Sequence, residues 1–291
     1  METIRNNVLE ISVITEGAEL CSIRSLATSR EYMWEGNPEI WGSHAPVLFP
    51  IVGTLKDQTY FHNGKAYELP RHGFFRRNAK VTLLEKSSAH LTFGLKSDPE
   101  SLSVYPFDFE AKIIFSLDGN KIRVTHNVKN TGTGEMLFSI GGHPAFKCPL
   151  NEGETYEDYQ LIFEKEEFLH TWDLNEGGII EKEGRLVMDH SNILPLHKNL
   201  FDHDALIFKY PVSNSVSLAH HTQGVVVKVD FTGWPYLGIW AKPQAPFVCI
   251  EPWLGIADSA DTDQQLSQKE GILSLAEGKV FEATFSIEIV Q

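Results

Sequence analysis

Apolar and polar residues alternate along most of this chain with the period of a β-strand, and that pattern leaves little room for helices. The C-terminal stretch is the clearest case. Phe281, Ala283, Phe285, Ile287 and Ile289 fall on one side, and Glu282, Thr284, Ser286 and Glu288 on the other. Segments 121–129, 91–95, 109–117 and 225–231 repeat the pattern. Asp118-Gly119-Asn120 reads as a hairpin turn, and residues 130–134 as another. Residues 263–269 suit a short helix ended by Gly271, and residues 151–158 an acidic loop. No linker, repeat or low-complexity tract interrupts the texture, so residues 1–291 are expected to form one large all-β domain, a β-sandwich.

Of the 291 residues, 42% are hydrophobic and 22% charged, enough for a sizeable core. The formal net charge of -14 argues against nucleic acid and against an anionic membrane surface as partners. Cys21, Cys148 and Cys249 are far apart and odd in number, which fits a reducing compartment rather than a disulfide framework. The N-terminus lacks an apolar signal core, and no apolar run approaches membrane-spanning length. A cytoplasmic protein is expected.

Two apolar runs each carry one ionisable residue beside glycine or proline. In Phe138-Ser139-Ile140-Gly141-Gly142-His143-Pro144-Ala145-Phe146 it is His143. In Phe247-Val248-Cys249-Ile250-Glu251-Pro252-Trp253 it is Glu251. A buried ionisable group is costly without a partner, and proline interrupts a regular ladder. His143 and Glu251 are therefore an acid and base candidate pair, expected at strand ends on opposite sides of one cavity. His72, within Arg71-His72-Gly73-Phe74-Phe75-Arg76-Arg77, is a third candidate. The other histidines are expected in polar, solvated loops. No HxH or HExxH spacing points to a metal, and a metal held by His72, His143 and Glu251 together is the weaker reading. Trp253, expected in a turn after Glu251, offers a flat face to a sugar. Along an extended segment Arg71 and Arg77 would share one face and Arg76 the other.

These stretches, with Ala45-Pro46-Val47-Leu48-Phe49-Pro50-Ile51-Val52-Gly53 and Ile250-Glu251-Pro252-Trp253-Leu254-Gly255-Ile256-Ala257-Asp258, resemble the aldose 1-epimerase (galactose mutarotase) family, most closely its LacX-like branch. The resemblance implies a galactose mutarotase-like β-sandwich, or supersandwich, and a sugar substrate with no metal and no cofactor. It implies that Glu251 takes the proton of the anomeric hydroxyl and that His143 protonates the ring oxygen. His72 would hold the ring oxygen or a neighbouring hydroxyl. The family's hydroxyl-binding Asp matches Asp204, with Asp202 close by as an alternative. Where the family usually has an Arg after the Phe-Pro segment, this chain has Thr54, with Lys56 or Arg71 to compensate. Three functions are compatible: an epimerase of a free hexose such as galactose or glucose, a hexose-6-phosphate epimerase, and a non-catalytic carbohydrate-binding protein. Preference for the free hexose rests on the expected divergence of the arginines and on the loss of the family Arg near Thr54, which removes a positive group from the pocket.

Overall fold

In the computed structural model, which describes residues 1–290, fifteen strands join in one sheet and three more form a small sheet, Glu2–Arg5, Leu9–Ile14 and Glu19–Ser25. The main path begins with Val47–Leu48, Ile140–Gly142, Phe247–Leu254 and Tyr236–Trp240. It ends with Val280–Ile289, Lys121–Asn130, Phe109–Asp118, His90–Lys96 and Thr82–Lys86. All pairings between these strands are antiparallel.

The alternation read from the sequence sets this architecture. In Lys121–Asn130, Ile122, Val124, His126, Val128 and Asn130 are buried. The Gly119-Asn120 turn joins that strand to Phe109–Asp118 with Lys121 opposite Asp118. A sheet buried on one face must cover it, and this one does so by curling. Phe49, just beyond the first strand of the order, lies 5.1 Å centroid to centroid from Phe109, three strands from the other end. A Cβ on Gly142 would come within 2.6 Å of the Phe285 ring. The two halves thus face each other across one core cluster running from Ile4 to Ile289.

Several local expectations change. The 263–269 segment makes only a 3-10 turn, Leu266–Gln268. The largest hairpin, Tyr159–Leu174 with Ile180–Pro195, gave no clean alternation, because four register shifts break its pairing. His126 is not in a solvated loop: it is fully buried between Trp234 and Phe285, and burial pulls it down to about 3. Among the described residues, no helix is long and apolar enough to cross a membrane.

Candidate active site

The strand Phe247–Leu254 is buried at all eight positions and carries Glu251 at its centre. On one side it pairs with Tyr236–Trp240, with Glu251 opposite Gly238. On the other side it pairs first with Ala145–Lys147, Ala145 opposite Cys249, and then with Ile140–Gly142, Gly141 opposite Trp253. His143-Pro144 is the break between those two short strands. Carrying the register across the break sets His143 opposite Glu251. The sequence therefore builds the pair by interrupting one strand at the position that faces the carboxylate of its neighbour.

Proline acts differently in the two runs. At Pro144 the ladder breaks. At Pro252 the strand continues to Leu254, so neither Glu251 nor Trp253 lies at a strand end or in a turn. The Ile250 amide donates to the Pro144 carbonyl at 3.1 Å. Two residues on, the Pro252 nitrogen points toward the same interrupted side, where a missing N–H costs least. The Trp253 indole then lies across two glycines of neighbouring strands. A Cβ at Gly238 would meet it at 2.5 Å, and one at Gly141 at 2.8 Å.

His143 Nε2 and Glu251 Oε2 are 3.2 Å apart, with side chains 10% and 1% exposed. They are neighbours rather than groups on opposite sides of a sugar-sized gap. Their contact leaves Glu251 Oε2 and His143 Nδ1 without a well-formed hydrogen bond among the described residues. Burial pulls His143 down to about 3, helped by Arg71 and Arg76. Burial also pushes Glu251 well above the usual carboxylate range, with Asp204 adding to the rise and Arg71 opposing it. Both shifts favour uncharged forms, a neutral imidazole beside a protonated carboxyl, in two groups close enough to titrate as a pair.

His72, Arg71, Asp204 and Trp253 line the same cavity as His143 and Glu251, so all six candidate residues converge on about 300 Å³. That is the lower end of the usual range for ligand pockets, about 300–1,000 Å³. The His72 ring is fixed by the backbone: its Nδ1 accepts from the Gly53 amide at 3.1 Å, and its own amide donates to Gly53 O at 2.8 Å. With Nδ1 an acceptor, the ring proton sits on Nε2 and is free to donate. Burial keeps His72 neutral, pulling it well below its ordinary value, with His143 adding to the effect. His72 takes a positive φ of 67° and Gly73 one of 71°. A Cβ at Gly73 would lie 2.3 Å from Phe49 O, so only glycine fits there.

That turn overturns the expected placement of the arginines. The segment is not extended, and Arg71 and Arg76 both line the cavity, while Arg77 turns away to donate to Gly42 O and Ser43 Oγ. Neither Arg71 nor Arg76 makes a hydrogen bond or ion pair to protein among the described residues. Lys56 is no substitute for the family Arg, because its Nζ donates to Ala260 O, away from the cavity. Arg71 is better placed: its guanidinium and the Thr54 hydroxyl both lie against Gly178, 3.8 and 2.8 Å from where a Cβ there would sit. Asp204, at φ 69°, faces the cavity, whereas Asp202 accepts from Asn199 and lines only an outer, polar extension.

Sequence reasoning did not single out Trp41 and Trp240. Trp41 stacks on His143 at 5.1 Å between centroids, and Trp240 meets it edge-on at 5.8 Å. Nothing in the local sequence separates these two from the other tryptophans.

The chain belongs to the aldose 1-epimerase family, whose model matches residues 2–274. It is similar to the plasmid-encoded protein LacX of Lactococcus lactis subsp. lactis, 33% identical over 99% of this chain and 98% of that protein. Among solved structures it is similar to a galactose mutarotase related enzyme from Lactobacillus acidophilus (38% identity, TM-score 0.94, covering 100% of this chain and 97% of that one). A galactose mutarotase-like protein from Lactobacillus casei matches at 28% identity and TM-score 0.92, over 99% of both chains. The fold is thus galactose mutarotase-like, as the sequence resemblance implied.

Proposed function

We propose that this protein interconverts the α and β anomers of a hexose by opening and reclosing the ring, with Glu251 and His143 as the proton-transferring groups. The observation that carries the reading is the 3.2 Å contact between two buried titratable groups that line one cavity. The sugar's O1 and O5 are bonded to the same carbon. An acid and a base that serve both atoms must therefore be neighbours. This is the physical reason a separation across the whole ring would not work.

Transfer of the shared proton from Glu251 to His143 gives the reactive form, carboxylate and imidazolium. Glu251 then takes the O1 proton while His143 delivers one to O5. The C1–O5 bond breaks and C1 becomes an aldehyde. Rotation about C1–C2 presents the other face, and the reverse transfers close the ring and restore both groups. Proton count is conserved and no electrons leave the sugar. General acid and base terms of ~10²–10⁴ each suffice for a reaction that proceeds unaided in water. The neutral His72 donates its Nε2–H to a sugar oxygen, Asp204 and Arg71 bind hydroxyls, and Trp253 provides a flat apolar wall.

Free galactose or glucose is the expected substrate. A hexose 6-phosphate is a second reading, and one observation favours it: Arg71 and Arg76 converge on the cavity without protein partners, as an anionic group would require. Polarimetry on α-anomers of free and 6-phosphorylated glucose and galactose decides between them. Catalysis confined to the phosphates would replace the first reading. Binding with no acceleration on any aldose would reduce the protein to a carbohydrate-binding module.

A further inference from the structure

Behind the acid and base pair lies a third side chain that the reaction does not use. Cys249 and Glu251 are two residues apart on one strand, so their side chains emerge on the same face. Cys249 is fully buried and does not line the sugar cavity. One ligand atom each from His143, Cys249 and Glu251 lie within 4.8 Å of one another. We propose that these three residues form a binding site for a thiophilic divalent cation of the zinc type, and that its occupation stops mutarotation.

The donor set is imidazole nitrogen, carboxylate oxygen and thiolate sulfur, which zinc takes readily. At ordinary zinc–nitrogen and zinc–oxygen lengths the edge of a tetrahedron is about 3.3 Å, and the His143–Glu251 contact is 3.2 Å. Glu251 Oε2 makes no well-formed hydrogen bond among the described residues, and its close neighbour at 3.2 Å is His143 Nε2, itself a member of the donor set. Charge also favours the ion. A dication with one thiolate, one carboxylate and one neutral imidazole is electrically neutral, which suits a buried site. As the ion enters, the Cys249 thiol and the His143–Glu251 pair release their protons to solvent. His143 and Glu251 line the sugar cavity, so an ion would reach the site from that side.

Such an ion is an inhibitor rather than a cofactor. It occupies the lone pairs that the proposed proton transfers need, and this half of the inference rests on the acid/base reading above. The metal site itself does not.

Cobalt(II) added to chelator-treated protein tests the site directly. The expected result is a thiolate-to-cobalt charge-transfer band with tetrahedral visible bands, saturating at one ion per chain and removed by zinc. Cys249→Ala should lose the band and keep its mutarotation. Zinc should suppress the wild-type reaction, with recovery on chelator addition. In Cys249→Ala zinc inhibition should weaken by at least ~10-fold, the lower end of what losing even a supporting partner costs. Glu251→Gln should weaken cobalt binding as well, which keeps the test open if Cys249→Ala does not fold. No charge-transfer band in the wild type, or a band that survives Cys249→Ala, overturns the site. A cobalt band in a protein without mutarotase activity would uphold the site and refute only the catalytic reading.

Discussion

Glu251 and Asp258, seven residues apart, each belong to a buried acid–base pair, and the two pairs are built in opposite ways. Lys269 Nζ and Asp258 Oδ1 are 2.6 Å apart, each side chain 3% exposed. Asp258 is satisfied on every side: its other oxygen accepts from the Lys56 amide, its own amide donates to Thr54 O, and its carbonyl accepts from Ile180. That network ties the loop after Glu251 to the segment bearing Gly53, which in turn holds His72. His143 and Glu251 are also buried, yet each keeps an atom without a well-formed hydrogen bond among the described residues. A satisfied buried pair fixes architecture. An unsatisfied one retains lone pairs and a proton for chemistry, at a cost the fold must offset elsewhere.

The contrast makes opposite predictions for the two pairs. Glu251→Gln and His143→Asn should each lower mutarotation by at least ~10²-fold with little change in melting temperature. Because the two groups act as one couple, the double variant should fall little below the worse single one. Independent, multiplicative losses would break the couple. Lys269→Met should do the reverse, costing about 3–5 kcal/mol of stability by stranding Asp258. The activity of the molecules that remain folded should fall far less than in Glu251→Gln. A stable Lys269→Met protein would remove the architectural half of the comparison.

The pH profile sharpens the chemical half. The active pair carries one proton. It gains a second only when His143 protonates, and burial has moved that down to about 3 from the ordinary 6.5. Activity should therefore persist as pH falls through 6.5, with the acid limb near the lower value. It should decline on the alkaline side as Glu251, raised by burial, loses its proton. An acid limb at the ordinary histidine value would contradict the neutral resting pair.

The arginines extend the comparison with smaller effects. Arg76 faces the cavity unpaired, so Arg76→Ala should raise KM by roughly 10–100-fold for the sugar form that uses it, the equivalent of one charged hydrogen bond. Arg77 is already paired to Gly42 and Ser43, and Arg77→Ala should leave KM unchanged. Equal effects would mean that pairing does not distinguish the two.

What could be read from the sequence divides along a similar line. Strands with unbroken alternation, such as Val280–Ile289 and Lys121–Asn130, were evident from their side-chain pattern. The Tyr159–Leu174 hairpin was not, because its bulges shift the phase that alternation depends on. His143 and Glu251 stood out as polar residues in apolar runs, and their pairing follows from a ladder register that only the folded sheet supplies. Asp204 was reachable only through family resemblance. The convergence of Arg71 and Arg76 was hidden because the positive φ of His72 turns a segment that would otherwise be extended. His126 looked like its solvated neighbours in composition, yet its place on the inward face of a strand buries it.

The most direct test of the unsatisfied pair is anomer exchange measured by NMR on hexoses at equilibrium, wild type beside Glu251→Gln. The wild type should transfer magnetisation between α and β anomeric protons well above the buffer rate, on the free or the phosphorylated sugar. The variant should bind the same sugar and exchange it at the buffer rate. Exchange in Glu251→Gln as fast as in the wild type would contradict the assignment of the pair as the acid and base.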